Sequence, residues 1–348
     1  MSSDAPRVVI LGAGAVGGTV AAWIAEHHDN IAVLDQGPVA EALRERGITT
    51  YQQGAREQAV TVQPQVLDSI EDARDADILV IAVKNYSLDA VCRVANEAVG
   101  DGPIVVGLQN GIDNQHILPK YFSRVVYGVI GYNAWLEEPG LIGYHNKGPL
   151  IMGTPDNTQP DAVQTVADLF QRGVDTVVTG HFQDAAHSKL IINLTNSLTT
   201  LVGHRVRPIE RIDLLQRILS NLLYEGVRVV KAAGYNECKI GGMPPWFLIA
   251  ASARLPQCLT RPLFKKNLDK MVLSSMAQDV LQRGRTDTEL ESINGYILSL
   301  AHKHRVPAPY NRAVYSLCRD AFASPHFQPM EVEAVWDKVQ DETTSPKR

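Results

Sequence analysis

Short apolar runs and amphipathic stretches alternate through the first half of the chain. Val8–Leu11, Ile31–Leu34 and Asp77–Lys84 are almost continuously apolar and rich in β-branched residues, the pattern of strands buried on both faces of a parallel sheet. Ile104–Leu108, Val125–Tyr132, Leu141–His145, Leu150–Gly153 and Asp175–Val178 extend the series. Between them Thr19–Ala25, Val39–Arg46, Leu88–Val99 and Asp161–Gln171 read as helices, and Asp68–Asp75 as a short acidic one. Ile48–Tyr51 and Ala59–Val62 form a hairpin around Gln52-Gln53-Gly54, and Pro139-Gly140 marks a second hairpin turn. After Val178 the strand signal stops. Apolar residues then recur at helical spacing in Asp184–Val202, Ile209–Ala233, Lys266–Gln282, Glu289–His304, Tyr310–Ala323 and Pro329–Gln340. The stretch Gly241–Pro262 resists assignment, and the polar end from 340 to 348 is expected to fray. The pattern predicts an α/β domain over 1–182 and an all-helical domain over 183–348.

The first strand runs into Gly12-Ala13-Gly14-Ala15-Val16-Gly17, a GxGxxG with a strand before it and a helix after it. In a dinucleotide-binding turn Gly12 allows the tight bend, Gly14 lets the backbone approach a pyrophosphate, and Gly17 lets helix pack on strand. The helix N-terminus offers N–H groups and partial positive charge to that pyrophosphate. The backbone of Gly12, Ala13, Gly14, Ala15, Val16 and Gly17 is therefore the expected cofactor cradle. The second strand ends in Asp35, eighteen residues beyond Gly17, where a carboxylate bonds ribose hydroxyls. Ligands of open α/β sheets bind beyond the carboxyl ends of the strands. Lys84 closes one such strand and Gln109-Asn110-Gly111 follows another, so Lys84 and Asn110 join the candidate cofactor residues.

Length and composition narrow the class. A chain of 348 residues with 45% hydrophobic and 20% charged content has ample core for two domains. The net charge of −5 excludes general affinity for nucleic acid or an anionic membrane. No apolar run is long enough to span a bilayer, and no secretory signal is read at the start, so the expected location is cytoplasmic. Cys92, Cys238, Cys258 and Cys318 are scattered and read as reduced thiols rather than a disulfide or zinc set. His27-His28 and His302/His304 also lack metal-ligand spacing and read as solvated, and no metal is expected.

The first long helix of the second domain carries a polar stripe. Lys189, Asn193 and Asn196 stand at i, i+4 and i+7, on one face, while Leu190, Ile191, Leu194, Leu198 and Leu201 occupy the others. Burying such a stripe is costly unless it meets a ligand or water. A lysine beside a carbonyl can protonate a developing alkoxide, and desolvation lowers its pKa toward that task. Farther on, Ser274-Ser275-Met276-Ala277-Gln278-Asp279 precedes Thr286-Asp287-Thr288-Glu289-Leu290-Glu291-Ser292-Ile293-Asn294-Gly295. Taken alone this is a helix, a break, and a second helix that Thr286 or Thr288 could cap. Nothing in the spacing makes Glu289 catalytic.

With these residues in view, the chain resembles the ketopantoate reductase (2-dehydropantoate 2-reductase) family over nearly its whole length. The resemblance rests on GAGAVGG, Val83-Lys84, Gln109-Asn110-Gly111, Lys189-x-x-x-Asn193, Ser-Ser-Met-x-Gln-Asp and Thr-Asp-Thr-Glu-Leu-Glu-Ser-Ile-Asn-Gly. It implies a Rossmann-like domain followed by a helical domain of the 6-phosphogluconate-dehydrogenase-like C-terminal architecture. It also implies NAD(P)H-dependent reduction of the 2-keto group of ketopantoate to D-pantoate, on the route to pantothenate and coenzyme A. By resemblance Lys189 is the general acid, Asn110, Asn193 and Ser275 bind substrate with Asn196 beside them, and Glu289 binds the substrate's hydroxyl end.

Three departures follow. The family's second asparagine, eight residues after the lysine, is replaced by Ser197, with Asn196 one position earlier. A longer link before the acidic residue makes Asp287 compete with Glu289, whose spacing to Ile293-Asn294-Gly295 fits better. The family mostly uses NADPH, whereas Asp35 would repel a 2′-phosphate and favours NADH, with no arginine until Arg44. An NAD-dependent D-2-hydroxyacid dehydrogenase acting on another keto acid is the second expectation, and a non-catalytic dinucleotide sensor the third. The expected partner is a small 2-keto acid; a homodimer is compatible with the sequence, which does not fix the oligomeric state.

Overall fold

The computed structural model describes residues 5–241 and 243–344. Twelve strands are formed among the described residues: β1 (Val8–Leu11), β2 (Ile31–Leu34), β3 (Ile48–Gln52), β4 (Val60–Val62), β5 (Gln65–Val66), β6 (Ile78–Ile81), β7 (Ile104–Gly107), β8 (Val125–Ile130), β9 (Ala134–Glu138), β10 (Leu141–Tyr144), β11 (Leu150–Gly153) and β12 (Thr176–Val178). The larger sheet has the order β12-β11-β8-β7-β6-β1-β2-β5. Its strands from β5 to β8 are parallel; β11 joins antiparallel to β8, and β12 parallel to β11. Counted along the chain, the six parallel strands lie in the order 3-2-1-4-5-6, the Rossmann arrangement, with its switch point between β1 and β6. β1 and β6 are wholly buried, as their uninterrupted apolar sequences require.

The expected hairpin exists, but not by itself. β3 and β4 pair antiparallel, and β3 then pairs in parallel with β10, which pairs with β9, giving a second sheet of four strands. β9 was not foreseen: its sequence is half-exposed and polar at its end, without a buried strand's signature. This sheet covers the helix Ala15–Ala25, whose Gly18 leaves no room for a Cβ beside Ile142. Trp23 of that helix packs edge-on against Tyr144 and tilted against Tyr132. A helix covered on both faces needs no polar side, which explains its near-uniform apolarity.

The chain divides into two compact units, Met1–Ala186 and His187–Arg348, the division falling inside the helix Phe182–Leu201. In the second unit Ile212–Ala232 packs on Phe182–Leu201, with Gly226 letting Leu194 approach closely. The unassigned stretch resolves into helices Trp246–Arg254 and Gln257–Lys270. The helix expected from Lys266 to Gln282 ends at Lys270; a short turn at Ser275–Ala277 follows, then a π-wound turn at Gln278–Gln282. Glu291–Gly295 is also π-wound and leads into Tyr296–Lys303. Pro309–Phe322 and Val332–Thr344 complete the unit; the end expected to fray from residue 340 stays helical to Thr344, and 345–348 lie outside the described residues. His28, expected to be solvated, is buried because its Nε2 bonds the carbonyl of Pro6 at 2.8 Å; His27 and His302 are exposed. None of the four cysteines, all among the described residues, is joined in a disulfide.

Candidate active site

The carboxyl ends of β1 and β6, paired side by side at the switch point, lead into the glycine loop and into Ala82-Val83-Lys84. Gly12 has φ +93°, left-handed backbone that glycine adopts without strain, and a Cβ there would lie 3.0 Å from Val83 Cγ1. A Cβ on Gly17 would lie 1.9 Å from the Gly12 carbonyl oxygen and 2.8 Å from Ala82 Cβ, so only glycine lets the helix seat on the strand ends. Gly14 is the contrast: a Cβ there would meet nothing within 4 Å. Its backbone faces open space, and no side chain caps the N-terminus of Ala15–Ala25. Bare backbone beside an uncapped helix start is what a pyrophosphate needs. On these observations the cradle of Gly12, Ala13, Gly14, Ala15, Val16 and Gly17 fits a dinucleotide.

Asp35, at the end of β2, accepts hydrogen bonds from the Ala13 N–H at 2.6 Å and the Gln36 N–H at 2.7 Å. The carboxylate thus sits against the glycine loop, half-buried, with lone pairs left for a diol. Arg44, the first arginine after β2, is engaged by Asp68 at 2.7 Å and by the Leu67 carbonyl. Lys84 is the N-cap of Asn85–Val99 and half-buried. Gln109 is buried and donates to the carbonyls of Ile81 and Val83, locking the ends of β6 and β7 together. Asn110 is half-buried, and the Asn85 amide donates to its carbonyl. Asn85 was not foreseen; a polar residue opening a helix reads as an ordinary cap, yet it is buried and its Oδ1 has no partner.

The helix Phe182–Leu201 separates the polar groups of its second-unit part into two kinds. Thr195, Ser197, Thr199 and Thr200 return their hydroxyls to carbonyls three or four residues back and are satisfied within the helix. Lys189 is different. Burial lowers its pKa to about 8, and no charged neighbour contributes to that shift. Asn193 is buried and Asn196 half-buried. Ser197 accepts from Asn294 Nδ2 at 3.0 Å while donating to the Leu194 carbonyl, so both its bonds turn into the protein. Ser274 caps its short helix through the Ala277 N–H, and Ser275 beside it is half-buried. Glu289 is 5% exposed whereas Asp287 is exposed, which separates the two competing carboxylates. Among the described residues no cluster of His, Cys, Asp or Glu could hold a metal, and no helix is long and apolar enough to cross a membrane.

Comparison with known proteins bears on both units. The family profile described as "Ketopantoate reductase PanE/ApbA" matches residues 8–157, and its "C terminal" counterpart matches 181–321. The 2-dehydropantoate 2-reductase of Archaeoglobus fulgidus is 28% identical over 317 residues, covering 90% of this chain and 97% of the relative. Two solved structures share the fold. D-mandelate dehydrogenase, bound to NADH and anilino(oxo)acetate, has a TM-score of 0.71 at 18% identity, covering 96% of this chain and 99% of its own. A dimeric ketopantoate reductase from Staphylococcus aureus has 0.68 at 23% identity, covering 91% and 98%.

Proposed function

The chain belongs to the ketopantoate reductase family and is an NAD(P)-dependent oxidoreductase acting on a CH–OH group; on that premise we propose that it reduces 2-dehydropantoate to D-pantoate, with Lys189 as proton donor. The observation that carries the reading is the lone lysine of the Phe182–Leu201 helix, with its pKa lowered to about 8 by burial alone. An ammonium with such a pKa is protonated at neutral pH yet gives its proton up readily. The dinucleotide, when bound, supplies the hydride. Gly12 to Gly17 would hold its pyrophosphate, and Asp35 its ribose. Lys189 donates a proton to the carbonyl oxygen as negative charge develops there, turning C=O into CH–OH. Asn193 and Ser275 donate to the substrate's oxygens without adding charge, as does Asn110. Asn196 stands on the same helical stripe. Buried Glu289, rather than exposed Asp287, accepts from the substrate hydroxyl.

NADH is the cofactor this reading favours, because Asp35 stands where a 2′-phosphate would come and Arg44 is engaged by Asp68. The family reading puts the product on the route to pantothenate and coenzyme A, in the cytoplasm. A second reading, an NAD-dependent D-2-hydroxyacid dehydrogenase for apolar keto acids, is favoured by one observation: Ser197 replaces an asparagine and spends both its bonds inward. The NADH-bound D-mandelate dehydrogenase of the same fold supports that direction. A homodimer is the assembly proposed. The Staphylococcus aureus neighbour is dimeric, and Leu255, Leu259 and Leu263 leave an apolar stripe exposed on and beside Gln257–Lys270. Initial rates with ketopantoate, 2-ketoisovalerate and phenylglyoxylate, each with NADH and NADPH, test the reading. Ketopantoate should be preferred by at least tenfold; equal or better turnover of phenylglyoxylate would hand the function to the second reading.

A further inference from the structure

Two side-chain hydrogen bonds tie the Phe182–Leu201 helix to the segment that follows Glu289. His187 Nε2 and the Tyr296 hydroxyl are 2.9 Å apart, and Asn294 donates to Ser197 Oγ at 3.0 Å. His187 has no solvent exposure, and its ring stacks on Tyr235 with centroids 3.6 Å and planes 18° apart. Asn294 is equally buried. The ring thus stacks on one tyrosine and bonds the hydroxyl of another.

The geometry of a helix shows what the ties control. At 3.6 residues per turn, His187 projects roughly 160° away from Lys189, whereas Ser197 stands one turn beyond Asn193 on nearly its side. The two ties therefore grip different sides of the helix, about 15 Å apart along its axis. A helix held only by apolar side chains can rotate or slide by small steps at little cost. One held at two such points must break a buried or partly buried hydrogen bond to do so, leaving a polar group without that partner. Lys189 and Asn193 lie between the ties, and the other ends of the ties are five and seven residues from Glu289. The bonds thus fix the register between the proposed proton donor and the proposed hydroxyl acceptor.

We propose that His187 and Tyr296 are positioning residues for the reaction: their hydrogen bond, seated on Tyr235, sets the rotation of the helix and so the place of the Lys189 ammonium. This rests on the reading of Lys189 as proton donor. Misplacing a reacting group by about 1 Å can cost up to about 10²-fold in rate, so a small change of rotation is enough to matter.

The test uses full-length protein with Tyr296→Phe, His187→Phe and the double variant, measured beside Lys189→Ala. Tyr296→Phe should lower kcat about tenfold, leave cofactor affinity unchanged, and raise KM for the keto acid by less than threefold. The double variant should be no slower than the worse single one, because both remove the same bond. His187→Gln keeps an amide within reach of the Tyr296 hydroxyl and should recover kcat to within threefold of wild type; this holds the proposal open to test if a phenylalanine variant does not fold. A kcat within twofold of wild type in Tyr296→Phe, or a His187→Gln as slow as His187→Phe, overturns the positioning role. If Lys189→Ala is inactive in the same experiment, only the positioning claim has failed. If Lys189→Ala retains its rate, the proton-donor reading falls and the positioning claim falls with it.

Discussion

Asp35 accepts the backbone N–H of Ala13 at 2.6 Å, so the carboxylate at the end of the second strand is built into the glycine loop itself. Its other oxygen accepts the Gln36 N–H at 2.7 Å; on the proposed reading the remaining lone pairs would meet a ribose diol, and the charge would repel a phosphate. Asp35→Asn keeps an oxygen for the Ala13 N–H and removes the charge. The ratio of NADPH to NADH affinity should rise at least tenfold in this variant, measured by quenching of protein fluorescence. A ratio unchanged from wild type would mean that Asp35 does not select the cofactor.

Lys189 carries a cost in the folded chain. Its pKa of about 8 lies below the ordinary lysine value of 10.5, so the fold prefers the neutral amine. Stability linked to this group rises as pH climbs from 8 to 10.5 and is lowest below 8, where the half-buried ammonium must be desolvated. Lys189→Met fills the space without charge. At pH 7 it should raise stability by about 1–3 kcal/mol, an upward shift of a few degrees in Tm, with the gain shrinking above pH 8. An equal or lower Tm at pH 7 would contradict the desolvation account.

Glu225 is a second buried ionisable group, outside the proposed chemistry. Its carboxylate accepts from the backbone N–H groups of Tyr310 and Asn311 at the start of Pro309–Phe322, and from the Asn311 amide at 3.0 Å. Burial outweighs these bonds and raises its pKa to about 7, above the ordinary 4.5. The unfolded chain therefore releases this proton first, and stability linked to Glu225 falls as pH rises from 4.5 through 7, by up to roughly 3 kcal/mol. Urea unfolding of Glu225→Gln should gain on wild type between pH 5 and pH 8. A constant difference across that range would show that the group does not titrate as stated.

The stripe of Leu255, Leu259 and Leu263 should be covered in solution. Leu259 is 69% exposed, and on Gln257–Lys270 only Leu268 is buried. Leu259→Asp should convert a dimer into a monomer by light scattering, with the far-ultraviolet spectrum unchanged. A wild-type protein that is monomeric at 50 µM, a concentration well above a tight dimer's Kd, would remove this assignment.

Much of this was legible because local sequence and global fold agree. The apolar runs of β1, β2 and β6, the loop from Gly12 to Gly17, and the stripe from Lys189 to Asn193 each announce themselves within a few residues. What escaped depends on distant contacts. His28 is buried by the Pro6 carbonyl, and β9 exists because β10 pairs with it. The turns Gln278–Gln282 and Glu291–Gly295 are π-wound, and a 3.6-residue period reads through them as plain helix. The inward turn of Ser197 needed Asn294, ninety-seven positions away.

The central claim is that Lys189 delivers the proton in a 2-keto acid reduction. The most direct measurement is kcat for ketopantoate reduction by wild type and Lys189→Ala, at saturating cofactor, with cofactor affinity measured on the same samples. General acid catalysis contributes typically about 10²–10⁴-fold. The account predicts a loss of that size in kcat with cofactor affinity unchanged; a Lys189→Ala enzyme within twofold of the wild-type rate would contradict it.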